Sequence, residues 1–261
     1  MSVPPHRIAL TREVSPSLVR CELTHLEREP IDLDRARAQH RAYEDVLRAL
    51  GCAVHRLPPE PDMPDAVFVE DAAVVLDELA VVTRPGPASR RAETASVAEA
   101  LTPHRPLHAI EAPGTLDGGD VLVIGRSVYV GLSTRTNQDG AAQLASALAP
   151  HGYTVRPLAV RSCLHLKTAV TAVGPSTVLL NPDWVDAGAF EDFEQIAVHP
   201  DEAWGANALA VGPGLVYADA FPRTRDRLLG RGLDVRALDV SELAKAEGAV
   251  TCCSLVFDPR P

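Results

Sequence analysis

One unit recurs along this chain: two short apolar strands joined by a tight turn, a helical or irregular crossover, and a third strand. Residues 67–69 lead into a strand over 72–76, a turn at Asp77-Glu78 and a strand over 79–83. Ser89 then caps a helix to about Leu101, and residues 106–110 close the unit. The next copy has a hairpin of residues 121–124 and 128–132, a helix over 137–148 and a strand over 155–158. Another turns at Gly174-Pro175 between residues 169–173 and 178–180, is short or irregular near Trp184, and ends on 195–198. The last full copy has strands at 208–211, 215–218 and 235–238 and a helix at 223–229.

The two chain ends complete the pattern. Residues 8–12 read as a strand and residues 53–57 as another. The helix over 34–50 between them rests on a stripe of Ala36, Tyr43, Val46, Leu47 and Leu50, with Gly51 as its stop. After a short helix near Leu243, residues 254–257 form a strand with no hairpin partner nearby. If that strand pairs with residues 8–12, the first unit becomes a fifth module split between the chain ends. Modules repeating at about 45 residues then close into a ring, an α/β propeller with pseudo-five-fold symmetry. The competing architecture is an open α/β sheet. No Pro-, Gly- or Ser-rich linker interrupts residues 1–261, so one domain is expected.

A hydrophobic share of 46% in 261 residues supplies a sizeable core. The formal charge of -10 argues against a nucleic acid or an anionic membrane as partner, since both need a basic face. No apolar run approaches the roughly 20 residues that span a bilayer. The stretch Met1-Ser2-Val3-Pro4-Pro5-His6-Arg7 lacks the apolar core of a signal peptide, so a soluble cytoplasmic protein is expected. Cys21, Cys52, Cys163, Cys252 and Cys253 follow neither disulfide nor zinc spacing and are read as reduced thiols.

In a ring, equivalent turns converge on one opening, and four clusters stand at such positions. They are residues 64–71 with Asp65, Glu70 and Asp71; residues 114–121 with Asp117, Gly118, Gly119 and Asp120; residues 164–168 with His165; and residues 247–255 with Cys252. Singly, each has a plainer reading: solvated carboxylates, a turn held by aspartate, a core histidine, a buried thiol. Each, however, opens or directly precedes the hairpin of its module. Thiolate, imidazole and carboxylate are the minimum set for covalent catalysis at a carbon bearing a poor leaving group. The remaining carboxylates can bind a cation, and arginines such as Arg90 and Arg135 can grip a carboxylate. An amino acid with a guanidinium head fits both.

These segments, together with residues 24–29 and 83–93, resemble the dimethylarginine dimethylaminohydrolases, members of the guanidine-modifying pentein superfamily with its five-bladed α/β propeller. The resemblance implies Cys252 as nucleophile, two residues before Ser254, with His165 as general acid and base and Asp117 orienting it. Cys253 is a bystander. Asp71 would receive the guanidinium, with Asp65 and Glu70 close by. Arg90 and Arg135 would hold the carboxylate, and the backbone carbonyls near Leu18 and Ala246 the α-amino group. The implied reaction takes methylated arginine to citrulline through a covalent thiouronium, with no metal or organic cofactor. A homodimer is left open. Arginine deiminases share the pattern but carry an aspartate two residues after the histidine, where this chain has Lys167, and they also carry an inserted helical domain that this chain lacks. A non-catalytic pentein that only binds a partner would be expected to lose the thiol or the histidine. The polar segment around residues 12–30 is a candidate lid.

Overall fold

The computed structural model describes residues 7–259. The N-terminal residues 1–6, read above as lacking a leader, lie outside the described residues. Strand β1 (Arg7–Arg12) leads through helix α1 (Leu33–Ala49) to β2 (Cys52–Leu57). The second module is β3 (Ala73–Val75), β4 (Ala80–Val82), α2 (Thr94–Leu101) and β5 (Leu107–Ala109). The third is β6 (Val121–Ile124), β7 (Ser127–Leu132), α3 (Gln138–Leu148) and β8 (Thr154–Ala159). A single turn, α4 (Leu166–Ala169), precedes β9 (Val170–Gly174), β10 (Thr177–Leu180) and β11 (Glu194–Ala197). The last module is β12 (Ala208–Val211), β13 (Gly214–Ala218), α5 (Pro222–Leu229) and β14 (Asp234–Leu238), followed by α6 (Ser241–Ala244) and β15 (Leu255–Phe257).

The strands form five three-stranded sheets with one topology: the first strand antiparallel to the second, the second parallel to the third. A tight turn suffices for the antiparallel pair, whereas the parallel pair needs a crossover, which is why each module carries a helix or an irregular loop there. In the fourth module the crossover is a 3-10 turn, Ala187–Phe190, as its weak helical pattern indicated. β15 pairs antiparallel with β1, Ile8 opposite Phe257 and Leu10 opposite Leu255, completing the split module. The ring is therefore a five-bladed α/β propeller. Its inner strands β3, β6, β9, β12 and β15 all line a central channel of about 490 Å³.

Local sequence accounts for the elements. Asp32 caps α1 by accepting from the amides of Asp34 and Arg35, and Gly51 takes the left-handed conformation just past its end. Ala36, Tyr43 and Leu47 are buried along one stripe, with Val46 and Leu50 at its edge. One expected cap is absent. Ser89 lies inside a 3-10 segment, Ala88–Glu93, and its hydroxyl donates to Glu22 across the chain, so α2 starts only at Thr94. A distant carboxylate has out-competed the local backbone for the serine.

Ring closure is tied to the C-terminal turn by one buried contact, in which the Tyr43 hydroxyl and Ser254 Oγ lie 2.6 Å apart. Replacing Tyr43 by Phe leaves the serine hydroxyl buried without its partner. The expected loss is about 1–3 kcal/mol. It should show as a lower urea midpoint at unchanged slope, and an unchanged midpoint would refute the tie.

Candidate active site

The segment preceding each inner strand sits at one end of the channel, and there consecutive residues face opposite ways. Glu70 and Thr251 line the channel, whereas their neighbours Asp71 and Cys252 line a small cavity on the other side, with Asp65, Arg90, Arg135, His165 and Ala246. The turns are bonded to one another. The Glu70 amide donates to the Cys252 carbonyl (3.1 Å), and the Leu166 amide donates to Asp120 (2.9 Å). The Gly-Gly pair is there because nothing larger fits. A Cβ on Gly118 would lie 1.9 Å from the Glu70 carbonyl, and one on Gly119 would lie 2.5 Å from His165 Nδ1.

His165 stands between two carboxylates. Its Nε2 is 3.1 Å from Asp117 Oδ2, and its Nδ1 is 3.9 Å from Asp71 Oδ1. Asp117 also accepts from the Gly86 amide, and Asp71 accepts from Gly119 (3.0 Å) and from Arg90 Nη1 (2.7 Å). Arg90 is committed further, donating to Glu93 through Nε and Nη2 and to the Asp65 carbonyl. Arg135 is different. Nη2 donates to Thr24 Oγ1, but Nη1, buried beside the cavity, has no hydrogen-bond partner. The Cys252 sulfur accepts from the Ala249 amide at 3.3 Å and reaches the cavity. Cys253 is buried in the core cluster with Tyr43 and Phe68.

Burial alone would pull the His165 imidazole down, but the carboxylates of Asp71, Asp117 and Asp120 outweigh it and push it up to about 9. Burial also raises Asp71, yet His165 and Arg90 hold it down to about 2. For Cys252, burial and then the carboxylates of Glu70 and Asp71 all act in one direction, and the thiol rises well above its ordinary value. The unliganded cavity therefore holds an imidazolium and a neutral thiol. Burial lifts Asp65 as well, against the pull of Arg90, and raises Glu93 to about 7.

Of the residues expected here, Cys252, His165, Asp117, Asp71, Asp65, Arg90, Arg135 and Ala246 come together. Asp117 lies behind His165 rather than in the cavity wall. Glu70 faces the channel, held by Lys167 Nζ (2.5 Å) and Thr251 Oγ1 (2.8 Å). Leu18 does not line the cavity, and its carbonyl accepts from the Cys21 amide. Four participants escaped the sequence reading: Glu93, Glu247, Thr251, and Asn207, which bonds both Thr251 and the Lys167 carbonyl. For Asn207 a signal existed, since it directly precedes β12 as the other clusters precede their inner strands. Among the described residues, Asp71, Asp117 and His165 have ligand atoms within 4.8 Å of one another, as a metal site requires. Those atoms are engaged with Arg90, Gly119, Gly86 and each other, so the set reads as an ion-pair cluster.

With a folded value near 9 and an unfolded value near 6.5, His165 stabilises the fold fully below about pH 6.5, and the contribution is lost as pH rises through about 9. The gap in urea midpoint between the unaltered protein and His165→Gln should therefore narrow from about pH 6 to about pH 9.5. A gap that stays constant would contradict the imidazolium assignment.

The chain is similar to known proteins in sequence and in fold. The sequence model of the family described as N,N dimethylarginine dimethylhydrolase, eukaryotic, matches residues 20–196. The N(G),N(G)-dimethylarginine dimethylaminohydrolase of Streptomyces coelicolor is 41% identical over 252 residues, covering 96% of this chain and 97% of its own. A cysteine-to-serine mutant of the Pseudomonas aeruginosa enzyme, solved with citrulline, superposes with a TM-score of 0.92 at 34% identity, covering 95% of this chain and 98% of its own. The N-terminal domain of a cyanobacterial arginine dihydrolase, solved with its substrate, superposes at 0.87 with 21% identity, covering 97% and 99%, a likeness of fold. By sequence and by fold, the chain belongs to the dimethylarginine dimethylaminohydrolase family.

Proposed function

We propose that the protein hydrolyses Nω-methylated arginines, asymmetric dimethylarginine and monomethylarginine, to citrulline and dimethylamine or methylamine. The observation that carries this reading is the division of charge in one cavity. Burial and the nearby carboxylates raise the Cys252 thiol, while Arg135 offers a buried Nη1 that makes no hydrogen bond and whose ion-pair partner, Asp117, is 3.9 Å away. An amino acid with a cationic head and a carboxylate tail answers both needs. Arg90, already committed to Asp71 and Glu93, serves this reading mainly by fixing Asp71 for the guanidinium. Asp65 shapes the pocket and the Ala246 carbonyl serves the α-amino group, whereas Glu70 faces the channel and the Leu18 carbonyl is taken by the Cys21 amide.

The arriving guanidinium brings a positive charge beside the thiol, so Cys252 loses its proton to solvent and the thiolate attacks the guanidinium carbon. His165, held by Asp117, enters protonated and donates its proton to the departing amine as that C–N bond breaks. The neutral imidazole then takes a proton from water, whose oxygen attacks the thiouronium carbon. Expulsion of the Cys252 thiolate, with loss of the remaining hydroxyl proton to the thiolate or to solvent, leaves citrulline. No step calls for a metal or an organic cofactor. Lys167 favours this reading over arginine deimination, because it stands two residues after His165, where deiminases carry an aspartate, and leaves one carboxylate fewer for the guanidinium. A methylated head has fewer N–H groups to satisfy. None of the described helices is long and apolar enough to cross a membrane. With unpaired thiols throughout, the proposed location is the cytoplasm.

Citrulline assays with dimethylarginine and with arginine test the reading. Product from dimethylarginine is expected, preference for arginine would shift the assignment to deimination, and no citrulline from either would overturn hydrolysis. Cys252→Ser should abolish turnover, while Cys253→Ala should keep kcat within about threefold, a change of under 1 kcal/mol in the barrier. Arg135→Gln should raise KM about 10–100-fold, the worth of a charge-assisted bond to a carboxylate, with a smaller change in kcat.

A further inference from the structure

Residues 22–30 cross above the cavity without regular secondary structure, and their side chains are largely exposed. Few apolar contacts hold such a segment, so its position depends on hydrogen bonds. Arg28 staples its base by donating to the carbonyls of Val19 (2.8 Å) and Cys21 (2.6 Å). Two contacts join it to the cavity: the Glu22 amide donates to Asp65 (3.0 Å), and Arg135 Nη2 donates to Thr24 Oγ1 (2.9 Å). At its crest, three successive amides converge on one carboxylate. The N–H groups of Thr24, His25 and Leu26 lie 3.0, 2.5 and 2.7 Å from Glu247 Oε1, and Thr24 N lies equally close to Oε2. Successive backbone amides aimed at one point make an anion-binding concavity, and here the anion is the chain's own side chain.

A second observation concerns the backbone of Glu247, which adopts a φ of 58°, in the left-handed region that favours glycine or asparagine. The position follows α6, where a chain commonly stops on glycine. A glycine would relax the backbone but would bring no carboxylate, so the side chain accounts for the residue found there. The strained residue directly follows Ala246, which lines the cavity, and five residues later the same turn carries Cys252. Gly248, between them, packs so closely on Phe68 that a Cβ would lie 2.2 Å from the ring. The turn is therefore rigid on its inner side and latched on its outer side.

We propose that Glu247 is a positioning residue: its carboxylate latches the 22–30 segment onto the turn that carries Cys252, so that closure over the cavity and the aim of the Ala246 carbonyl are set together. The kinetic consequence rests on the methylarginine reading above; the latch itself does not. Without the carboxylate, the segment opens, and substrate binding must close it again at the expense of affinity.

Hydrogen exchange of the full-length protein without ligand, followed on a peptide spanning residues 22–30, reads the latch directly. Glu247→Gln keeps the length and removes the charge, and Glu247→Gly relaxes the backbone and removes the carboxylate. Both should exchange at least about tenfold faster over Thr24–Leu26, with other segments unchanged. Both should raise KM for dimethylarginine about tenfold while kcat changes by less than about threefold, a split that a general loss of stability would not produce. Unchanged exchange and KM in Glu247→Gln would overturn the proposal, and so would a Glu247→Gly variant that behaves as the unaltered protein, since the position would then serve the backbone alone. If the unaltered protein forms no citrulline, the substrate reading falls, and the exchange measurement still decides the latch.

Discussion

The pairing of β15 with β1 is the contact on which the rest of the molecule depends. It joins residues about 250 positions apart, a long-range closure whose entropy is recovered only when the ring forms as a whole. The same strand begins three residues after Cys252. A chain whose ends failed to pair would lose one blade and the thiol's placement together. Tyr43, reaching from α1 to Ser254, adds a second tie between the first module and this turn. Fold closure and cavity assembly are one event in this architecture.

Once closed, the ring gathers charges that would not otherwise share a dry space. Asp71, Asp117, Asp120 and Glu93 are all buried, and Arg90, Arg135 and His165 are their counterparts. Removing a single member of such a set strands its partner, which is more harmful than never having built the pair. The arrangement is also directional. The acids push the imidazole up against the pull of burial, whereas burial and the acids act together to push the Cys252 thiol up.

Much of this was legible in the sequence because the information was periodic. Alternating apolar runs located all fifteen strands, and the recurrence of the unit indicated a ring before any contact was known. The clusters holding Asp71, Gly118-Gly119, His165 and Cys252 were visible because each occupies the same place in its module. What stayed hidden lies in pairings between side chains far apart in sequence. Glu22 drew Ser89 away from capping α2, Glu93 backs Arg90, and Glu247 meets amides more than 200 residues away. Orientation was equally hidden. Nothing local told that Glu70 would face the channel while Asp71 faced the cavity, because a 3-10 turn sends neighbouring side chains in divergent directions.

That divergence has a consequence for traffic through the ring. A propeller has a hole along its axis, and an uninterrupted one would give the cavity two entrances. Glu70, Lys167 and Thr251 bond across the axis at the level where the turns meet, so they form a floor. The cavity lined by Asp71, His165 and Cys252 is thereby separated from the channel lined by Glu70 and Thr251.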